Sequence, residues 1–218
     1  MRPALALAAL LAIAFSGAGA RAQNTPDAIG RISYGDAPKP GAAICTGTLI
    51  APDLVLTAGH CARPAINDPA MIRFAAGYAN GRATQIRRGA QIILADPLPS
   101  GPKISFDLAL VVLDSPIAPE TVAPLPLGRV TADSFTLIAY RRSAPEQTQR
   151  QDDCALVSAQ LNLLGLSCQV VSGNSGAPLL QWDGTRWLMA AVIVASDKSA
   201  VHAWAVIPPQ NLIDRINK

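Results

Sequence analysis

The amino-acid sequence predicts an all-β protein. Beyond the first 22 residues, short apolar runs rich in β-branched residues alternate with Gly, Pro and Asp, and long stretches of helical period are few. Short strands at such spacing are typical of a β-sandwich or a β-barrel. The runs that we expect to form strands are 48–50, 54–57, 91–94, 108–113, 135–140 and 190–195.

Turn-forming residues predict how these runs are connected. The Asp183-Gly184 pair tolerates positive φ, so a hairpin is expected around it. Residues 115–128 contain four prolines, which cannot donate hydrogen bonds inside a sheet, and we expect an extended connection between two β units there. The polar stretch 141–153 is predicted to be an exposed loop, and a short amphipathic helix is predicted over residues 211–217.

The N-terminal segment 1–22 has the three parts of a secretory signal peptide. These are a basic start at Arg2, an apolar run over residues 4–15 and an Ala-x-Ala end. The run is shorter than the roughly 20 apolar residues that a membrane span needs. We expect cleavage after Ala22, with Ala20 as the second choice. The protein would then be secreted or periplasmic and carry no membrane span, and the remaining chain is long enough for one large β domain or two small ones.

Charge and cysteine content restrict the possible partners. The 18 basic and 15 acidic residues are scattered along the chain and give a net charge of +3, without the basic stripe that binds nucleic acid, so no nucleic-acid partner is expected. Four cysteines behind an export signal, with no Cys-x-x-Cys pair, favour disulfides over metal ligation. We therefore expect no metal and no other cofactor. Three disulfide pairings are possible, and the cysteine spacing does not choose among them.

Three segments contain the residue types that nucleophilic catalysis requires. They are Thr-Ala-Gly-His-Cys at 57–61, Phe-Asp-Leu-Ala-Leu at 106–110 and Gly-Asn-Ser-Gly-Ala-Pro at 173–178. A serine hydroxyl needs a neighbouring base to take its proton, and imidazole suits this task at neutral pH. A carboxylate must then orient the imidazole and stabilise its cation. The chain has two histidines, so the base is His60 or His202.

Glycines flank Ser175 and predict a tight backbone turn. Such a turn would aim the N–H groups of Gly173 and Ser175 into one concavity, which is the outline of an oxyanion hole. Taken alone, a Gly-x-Ser-Gly turn is structural more often than catalytic. Asp107 alone is equally compatible with a solvated strand end.

The Thr-Ala-Gly-His-Cys segment is the most specific of the three, and it resembles the active-site histidine motif of the trypsin-like (chymotrypsin-fold) serine proteases. His60, Asp107 and Ser175 occur in that family's order, whereas subtilisins and α/β-hydrolases place the histidine after the aspartate. The resemblance covers nearly the whole chain after residue 45. It implies a serine endopeptidase that hydrolyses protein or peptide substrates through an acyl-enzyme, with these three residues as its catalytic triad.

The same resemblance implies a particular β architecture. The family has two six-stranded antiparallel β-barrels, with the catalytic site in the cleft between them. Residues 23–118 would form the first barrel and carry His60 and Asp107. Residues 119–218 would comprise the linker, the second barrel with Ser175, and the short terminal helix.

The resemblance also implies a disulfide between Cys45 and Cys61, beside the catalytic histidine. Cys154 and Cys168 are then left to form the second disulfide, next to the nucleophile segment. These two cysteines are 14 residues apart, and closing a loop of that size stabilises a protein by about 3 kcal/mol on the chain-entropy model.

One departure from the family pattern concerns activation. Animal members usually carry Asp before the nucleophile, where it receives the new N-terminal ammonium after zymogen cleavage. Here the position is Asn174, and a neutral amide cannot form that ion pair, although Arg31-Ile32 superficially resembles an activation site. In this respect the sequence is more similar to the bacterial glutamyl endopeptidases.

A second departure concerns the specificity pocket. Six residues before the nucleophile, where trypsin has a pocket-floor aspartate, the chain has the neutral Gln169. By motif spacing the pocket wall includes Val194 and Ser196. His202, on the next strand, either faces the pocket and selects acidic side chains or lies on the surface. Ile193 occupies the wall position of the glutamyl endopeptidase histidine. We expect cleavage after neutral residues, or acidic ones if His202 reaches the pocket, and not after Arg or Lys.

Two other functions are compatible with the same segments. A chymotrypsin-fold protein can serve as a binding module after losing catalysis, but such proteins usually lack a triad member or a glycine of the nucleophile loop, and this chain keeps them all. An esterase could use the same triad. Comparing the turnover of peptide and ester substrates would separate the two enzymes.

Overall fold

The structure is a computed structural model that describes residues 25–35, 42, 44–96, 102–197 and 202–214, so the predicted signal peptide 1–22 lies outside the described residues. The described chain is mostly β-strand. Its strands are β1 (Ile29–Tyr34), β2 (Cys45–Ala51), β3 (Leu54–Ala58), β4 (Ile72–Ala76), β5 (Gln85–Leu94), β6 (Leu108–Leu113), β7 (Ser134–Arg141), β8 (Ala144–Gln160), β9 (Leu163–Leu166), β10 (Pro178–Trp182), β11 (Trp187–Ser196) and β12 (Ala203–Val206). Its helices are α1 (Gly59–Ala62), α2 (Gln210–Ile213) and the 3-10 helices Arg63–Ala65, Pro69–Met71 and Lys103–Phe106.

The strands form two closed antiparallel barrels of six strands each. The strand order is β1-β2-β3-β6-β5-β4 in the first barrel and β10-β11-β12-β9-β8-β7 in the second. The predicted fold class is therefore confirmed. Closure leaves neither barrel with an open sheet edge, so each can bury an apolar interior in a short chain.

All six apolar runs that were predicted to be strands lie within strands. Four of these strands (β2, β3, β5 and β6) belong to the first barrel, and two (β7 and β11) belong to the second. The predicted hairpin joins β10 to β11, and Gly184 in its turn has a φ of +106°. Apolar runs identify these strands because five of the six strands are mostly buried, and the apolar residues of the predicted run in the sixth, β5, pack half-buried against the core.

The prediction of an exposed loop over residues 141–153 is wrong. Residues from Ala144 onward form β8, the longest strand, which pairs with β7 through contacts such as Ile138 with Arg150. Cys154 is the one fully buried residue of β8, so the strand lacks the apolar alternation that would identify it. Backbone pairing with a strongly apolar neighbour is enough to hold a polar strand in a barrel.

The two barrels share one apolar core. The larger cluster of buried side chains includes Leu49 and Leu56 of the first barrel and Tyr140, Leu180 and Val192 of the second. A smaller cluster lies within the second barrel. Continuous packing across the interface fixes the cleft that a site between the barrels requires.

The C-terminal helix and the disulfides agree with expectation. α2 spans Gln210–Ile213 and buries Leu212, while the last residues of the predicted helix, from 215 onward, lie outside the described chain. Disulfides join Cys45 to Cys61 and Cys154 to Cys168, as the family resemblance implied. Among the described residues, no helix is long and apolar enough to cross a membrane.

Candidate active site

His60 and Asp107 lie side by side because their strands are neighbours. α1 begins directly after β3, Asp107 directly precedes β6, and the register pairs Ala58 with Leu108. The Nδ1 atom of His60 lies 2.6 Å from Oδ2 of Asp107, and the backbone N–H of His60 donates to Oδ1 at 2.8 Å. Both carboxylate oxygens thus bind the same residue, which fixes the imidazole plane and leaves Nε2 directed away from the carboxylate.

Gly59 and Tyr34 fix the backbone on the two sides of His60. A Cβ atom on Gly59 would lie 2.7 Å from Oδ1 of Asp107, so the close approach of the two segments requires glycine. The N–H of Gly59 donates to the carbonyl of Asp107 at 2.9 Å. The hydroxyl of Tyr34 donates to the carbonyl of Cys61 at 2.6 Å, and burial raises the pKa of Tyr34, which keeps this hydroxyl a donor.

The nucleophile loop, residues 171–177, depends on two glycines. Gly173 has a φ of +102° and Gly176 a φ of +83°, both in the left-handed region that other residues rarely adopt. A Cβ on Gly176 would lie 2.0 Å from the carbonyl oxygen of Thr46. The two residues flanking Asn174 and Ser175 are therefore glycine for steric and conformational reasons together.

Asn174 is 1% exposed and is fully hydrogen-bonded. Its Nδ2 donates to the carbonyl of Tyr140, and its Oδ1 accepts from the N–H of Val171, each at 2.8 Å. An aspartate could accept the second bond but could not donate the first. The amide therefore fills, without any N-terminal ammonium, the position where animal relatives place their activation ion pair.

The Arg31-Ile32 bond is not an accessible activation site. It lies in the middle of β1, which pairs with both β2 and β4, and Ile32 is fully buried. The Arg31 guanidinium lies 3.5 Å from the centre of the Tyr78 ring and donates to the carbonyl of Pro145. Cleavage there would require the first barrel to open.

Thr46 of β2 connects the nucleophile loop to the first barrel. Its N–H donates to the carbonyl of Ser175 and its hydroxyl donates to the carbonyl of Gly173, each at 2.9 Å. The hydroxyl also accepts from the N–H of Tyr140 at 3.0 Å. The role of Thr46 was not predicted from the sequence, where its one signal is a polar residue inside an apolar strand next to Cys45.

The amides of Gly173 and Ser175 are free to bind a ligand. In the part of the chain that the structure describes, neither N–H has a hydrogen-bond acceptor, whereas the carbonyls of both residues are occupied by Thr46. The side chain of Cys61, which follows His60, lies 3.8 Å from the Ser175 carbonyl. The histidine and serine segments therefore meet at the cleft.

A cavity of about 170 Å³ adjoins Ser175. The described residues that line it carry no charge; they are Val170, Val171, Ser172, Asn174, Ser175, Ile193, Ala195 and Ser196. Asn174 is committed to its two hydrogen bonds, so the remaining lining is aliphatic or hydroxylic. Such a cavity can accept a neutral side chain and offers no counter-ion to a charged one.

The residues predicted for the specificity pocket are placed differently by the structure. Ser196 lines the cavity, but Val194 packs into the apolar core because strand alternation turns it away from the cavity that Ile193 lines. Gln169 is exposed, and its carbonyl accepts from the side chain of Gln151.

His202 and Gln169 are not among the described residues that line the cavity. His202 precedes β12 and is tied through its backbone, donating to the carbonyl of Leu166 and accepting from the N–H of Asp197. Besides Ser196, the residues of β11 that line this cavity are Ile193 and Ala195.

Cys45, His60 and Cys61 bring three potential metal-ligand atoms within 4.8 Å of one another. Both sulfur atoms are already bonded to each other in a disulfide. A disulfide sulfur is not a thiolate and does not ligate a metal as one. This cluster therefore serves to attach α1 to β2.

The chain belongs to the trypsin-like peptidase family, because the trypsin-like peptidase domain matches residues 45–187, a range that includes all three triad candidates. The resemblance drawn from the sequence motifs is thus confirmed. Membership of this family implies peptide substrates. No curated protein matches the chain in sequence.

Solved structures with the same fold are serine proteases and related proteases. One is a thermostable serine protease, AL20, from an extremophilic microorganism, with a TM-score of 0.67, 15% identity and coverage of 88% of this chain and 95% of that one. A Glu endopeptidase has a TM-score of 0.69, 21% identity and coverage of 88% and 89%. The protease Anisep from Arthrobacter nicotinovorans has a TM-score of 0.64, 17% identity and coverage of 84% and 90%.

Proposed function

We propose that the protein is a secreted serine endopeptidase in which His60, Asp107 and Ser175 form the catalytic triad. Two observations together carry the proposal. His60 makes two hydrogen bonds to Asp107, and the N–H groups of Gly173 and Ser175 in the nucleophile loop have no acceptor among the described residues. A turn with a purely structural role would require neither the His60–Asp107 pair nor two N–H groups without an acceptor. In this proposal the first domain covers residues 23–118 and the second covers residues 119–218.

The geometry supports an acyl-enzyme mechanism. Ser175 Oγ attacks the carbonyl carbon of the scissile bond while Nε2 of His60 takes the hydroxyl proton. Asp107 holds the Nδ1–H side of the imidazole at 2.6 Å, which keeps Nε2 available as the base and stabilises the imidazolium that forms. His60 then passes the proton to the leaving amine, and a water molecule hydrolyses the acyl-enzyme by the same steps.

The free amides of Gly173 and Ser175 serve as the oxyanion hole. Negative charge develops on the carbonyl oxygen as the tetrahedral intermediate forms, and donors that are already in place stabilise it without reorganisation. The left-handed backbone of Gly173 and the anchoring of both carbonyls by Thr46 keep the amides in position.

The cavity beside Ser175 serves as the specificity pocket in this proposal. Its lining by Val170, Ile193 and Ala195, with hydroxyl groups at Ser172 and Ser196, favours a neutral residue before the scissile bond. An Arg, Lys, Asp or Glu side chain would lose its hydration there without gaining a counter-ion. His202 offers no support for acidic selectivity, since it does not line the cavity.

Export is part of the proposal. The segment 1–22 supplies the signal, and two disulfides in a small domain are typical of proteins that fold in an oxidising compartment. Cleavage after Ala22 would release the mature enzyme, and its intact mass would report both the cleavage site and the two disulfides.

Labelling with a serine-directed phosphonate tests the proposal. The exported protein should gain one adduct, and peptide mapping should find it on Ser175. The Ser175→Ala variant should fold, take up no label and hydrolyse peptides about 10⁴ to 10⁶ times more slowly. Near-normal peptide hydrolysis by this variant would refute the assignment.

Two further outcomes would point to other functions. Turnover of activated esters without any cleavage of a proteome-derived peptide mixture would identify an esterase that uses the same triad. A folded protein that neither reacts with the phosphonate nor turns over either substrate would be a binding module. Either result contradicts the endopeptidase proposal while leaving the family assignment intact.

A further inference from the structure

The segment that carries Asp107 is held by a residue of the other barrel. Asn162 lies in the turn between β8 and β9, and its Nδ2 donates to the carbonyl of Ser105 at 2.7 Å. Ser105 belongs to the 3-10 helix Lys103–Phe106, which ends one residue before Asp107. This hydrogen bond crosses from the second barrel to the first at the aspartate side of the cleft.

Asn162 is itself fixed within the second barrel. Its carbonyl accepts from the N–H of Ile207 at 2.8 Å, and its Nδ2 lies 3.4 Å from the Ile207 carbonyl. Leu161, just before it, has a left-handed backbone with a φ of +55°. The two contacts with Ile207 therefore orient the side-chain amide of Asn162 independently of its hydrogen bond to Ser105.

The Ser105 carbonyl depends on this donor. Ser105 is 1% exposed, so water cannot readily replace a lost partner. The backbone of Asp107 is tied on one side to Ile104, through its N–H, and on the other to Gly59, through its carbonyl. Loss of the hydrogen bond from Asn162 to the Ser105 carbonyl would therefore loosen the turn that precedes Asp107. The hydrogen bond between the Asp107 carbonyl and Gly59 would remain.

We propose that Asn162 is a positioning residue for Asp107, setting the aspartate and its histidine relative to the nucleophile on the second barrel. The proposal rests on the proposed triad. His60 and Asp107 belong to the first barrel and Ser175 to the second, so their alignment needs contacts between barrels on both sides of the cleft. Thr46 supplies them on the serine side, and Asn162 supplies one on the aspartate side.

Two substitutions remove the donor in different ways. Asn162→Ala deletes it, and Asn162→Asp keeps the shape but places a carboxylate oxygen against the Ser105 carbonyl. Each should lower kcat about ten- to hundredfold, the effect of a misplacement of about 1 Å, while KM changes little. Gln160→Ala, at the exposed last residue of β8, is the matched control and should leave kcat and KM unchanged.

A double-mutant cycle separates positioning from general support. Asn162 acts through Asp107, so its substitution should have little effect on kcat once Asp107→Asn has removed the carboxylate. The rates are measured with an activated ester and divided by the folded fraction from circular dichroism, so that a reduced folded fraction does not count as lost catalysis. The far-downfield proton resonance of His60 Nδ1–H should also shift in Asn162→Asp and not in Gln160→Ala.

The outcomes are distinguishable. Unchanged kcat in both Asn162 variants, or an equal loss of kcat with and without Asp107→Asn, would overturn the positioning role. If Asp107→Asn alone kept normal kcat, the proposed triad itself would fail. A loss that is confined to the background with intact Asp107, with KM preserved, supports both proposals.

Discussion

The two halves of the candidate site are held in place by different means. In the first barrel, one side chain holds the site: the Asp107 carboxylate accepts from the backbone N–H of His60 and binds its Nδ1. In the second barrel, the backbone holds it: Ser175 lies between glycines of positive φ, and Thr46 anchors the loop through two of its carbonyls. A side-chain contact can be removed with little distortion, whereas a left-handed glycine cannot change without moving the chain. Substitution of the His60 or Asp107 side chain should therefore cost activity, whereas substitution of a glycine that flanks Ser175 should cost structure as well.

The strongest test of this comparison is Gly176→Ala. Its Cβ would lie 2.0 Å from the Thr46 carbonyl and 2.1 Å from Thr57 Oγ1, both in the buried core of the first barrel, and its φ is +83°. We expect destabilisation by more than about 3 kcal/mol together with loss of peptidase activity. Chemical unfolding monitored by circular dichroism measures the first effect, and peptide turnover measures the second.

Gly184→Ala is the matched control for Gly176→Ala. Gly184 also has positive φ, at +106°, but a Cβ there would meet nothing within 4 Å. Its substitution should cost only the backbone strain, about 1 to 2 kcal/mol, and should leave turnover intact. If both alanine variants were destabilised equally, the contact with the first barrel would contribute nothing, and the comparison would lose its physical basis.

Sequence reasoning was strong where chemistry or buried apolar pattern specifies a residue. The apolar strands were predicted from continuous apolar runs, and the disulfide pairs followed from the family resemblance. The polar strand β8 was missed because its pairing energy comes from its backbone, which leaves no trace in side-chain pattern. Thr46 and Asn162 were missed for a related reason, since each acts through hydrogen bonds to distant main-chain atoms.

The cavity beside Ser175 shows how precisely motif spacing can locate individual residues. Motif spacing predicts Val194 and Ser196 of β11 as wall residues, whereas Ile193, Ala195 and Ser196 line the cavity beside Ser175. Successive residues of a strand point to opposite faces, so an error of one residue exchanges the pocket for the core. The register shift between Ile193 and Ala195, where β11 meets β12, is the kind of irregularity that counting from a motif cannot detect.

A smaller effect is expected from the pocket wall. Ile193→Ala should enlarge the cavity and raise kcat/KM for large apolar residues relative to small ones by about tenfold, within the usual discrimination of an apolar pocket. The wild-type profile on a proteome-derived peptide mixture should show neutral residues before the cut. His202→Ala, outside the lining, should leave the profile unchanged. Dominance of Arg or Lys before the cut would contradict the cavity as the specificity pocket.

The smallest expected effect lies outside both halves, in the turn between β10 and β11. The N–H groups of Thr185 and Arg186 and the Thr185 hydroxyl donate to Oδ1 of Asp183, and these bonds lower the pKa of Asp183 to about 2. A pKa that is lower in the folded state than in the unfolded chain stabilises the fold above the unfolded value and ceases to do so as pH falls through the folded one. The stabilisation by Asp183 should therefore be complete at neutral pH and be lost between about pH 4 and pH 2.

Asp183→Ala tests how much the Asp183 carboxylate contributes to thermal stability. The difference in Tm between wild type and variant should be small and constant from neutral pH down to about pH 5, and should shrink as the pH approaches 2, because the wild-type carboxylate then becomes protonated. Turnover at neutral pH should not change, since the turn belongs to neither half of the site. Asp53→Ala, in the exposed turn between β2 and β3, provides the comparison for removal of a carboxylate elsewhere. A Tm difference that stayed constant down to pH 2 would show that the turn does not depend on the charge of Asp183.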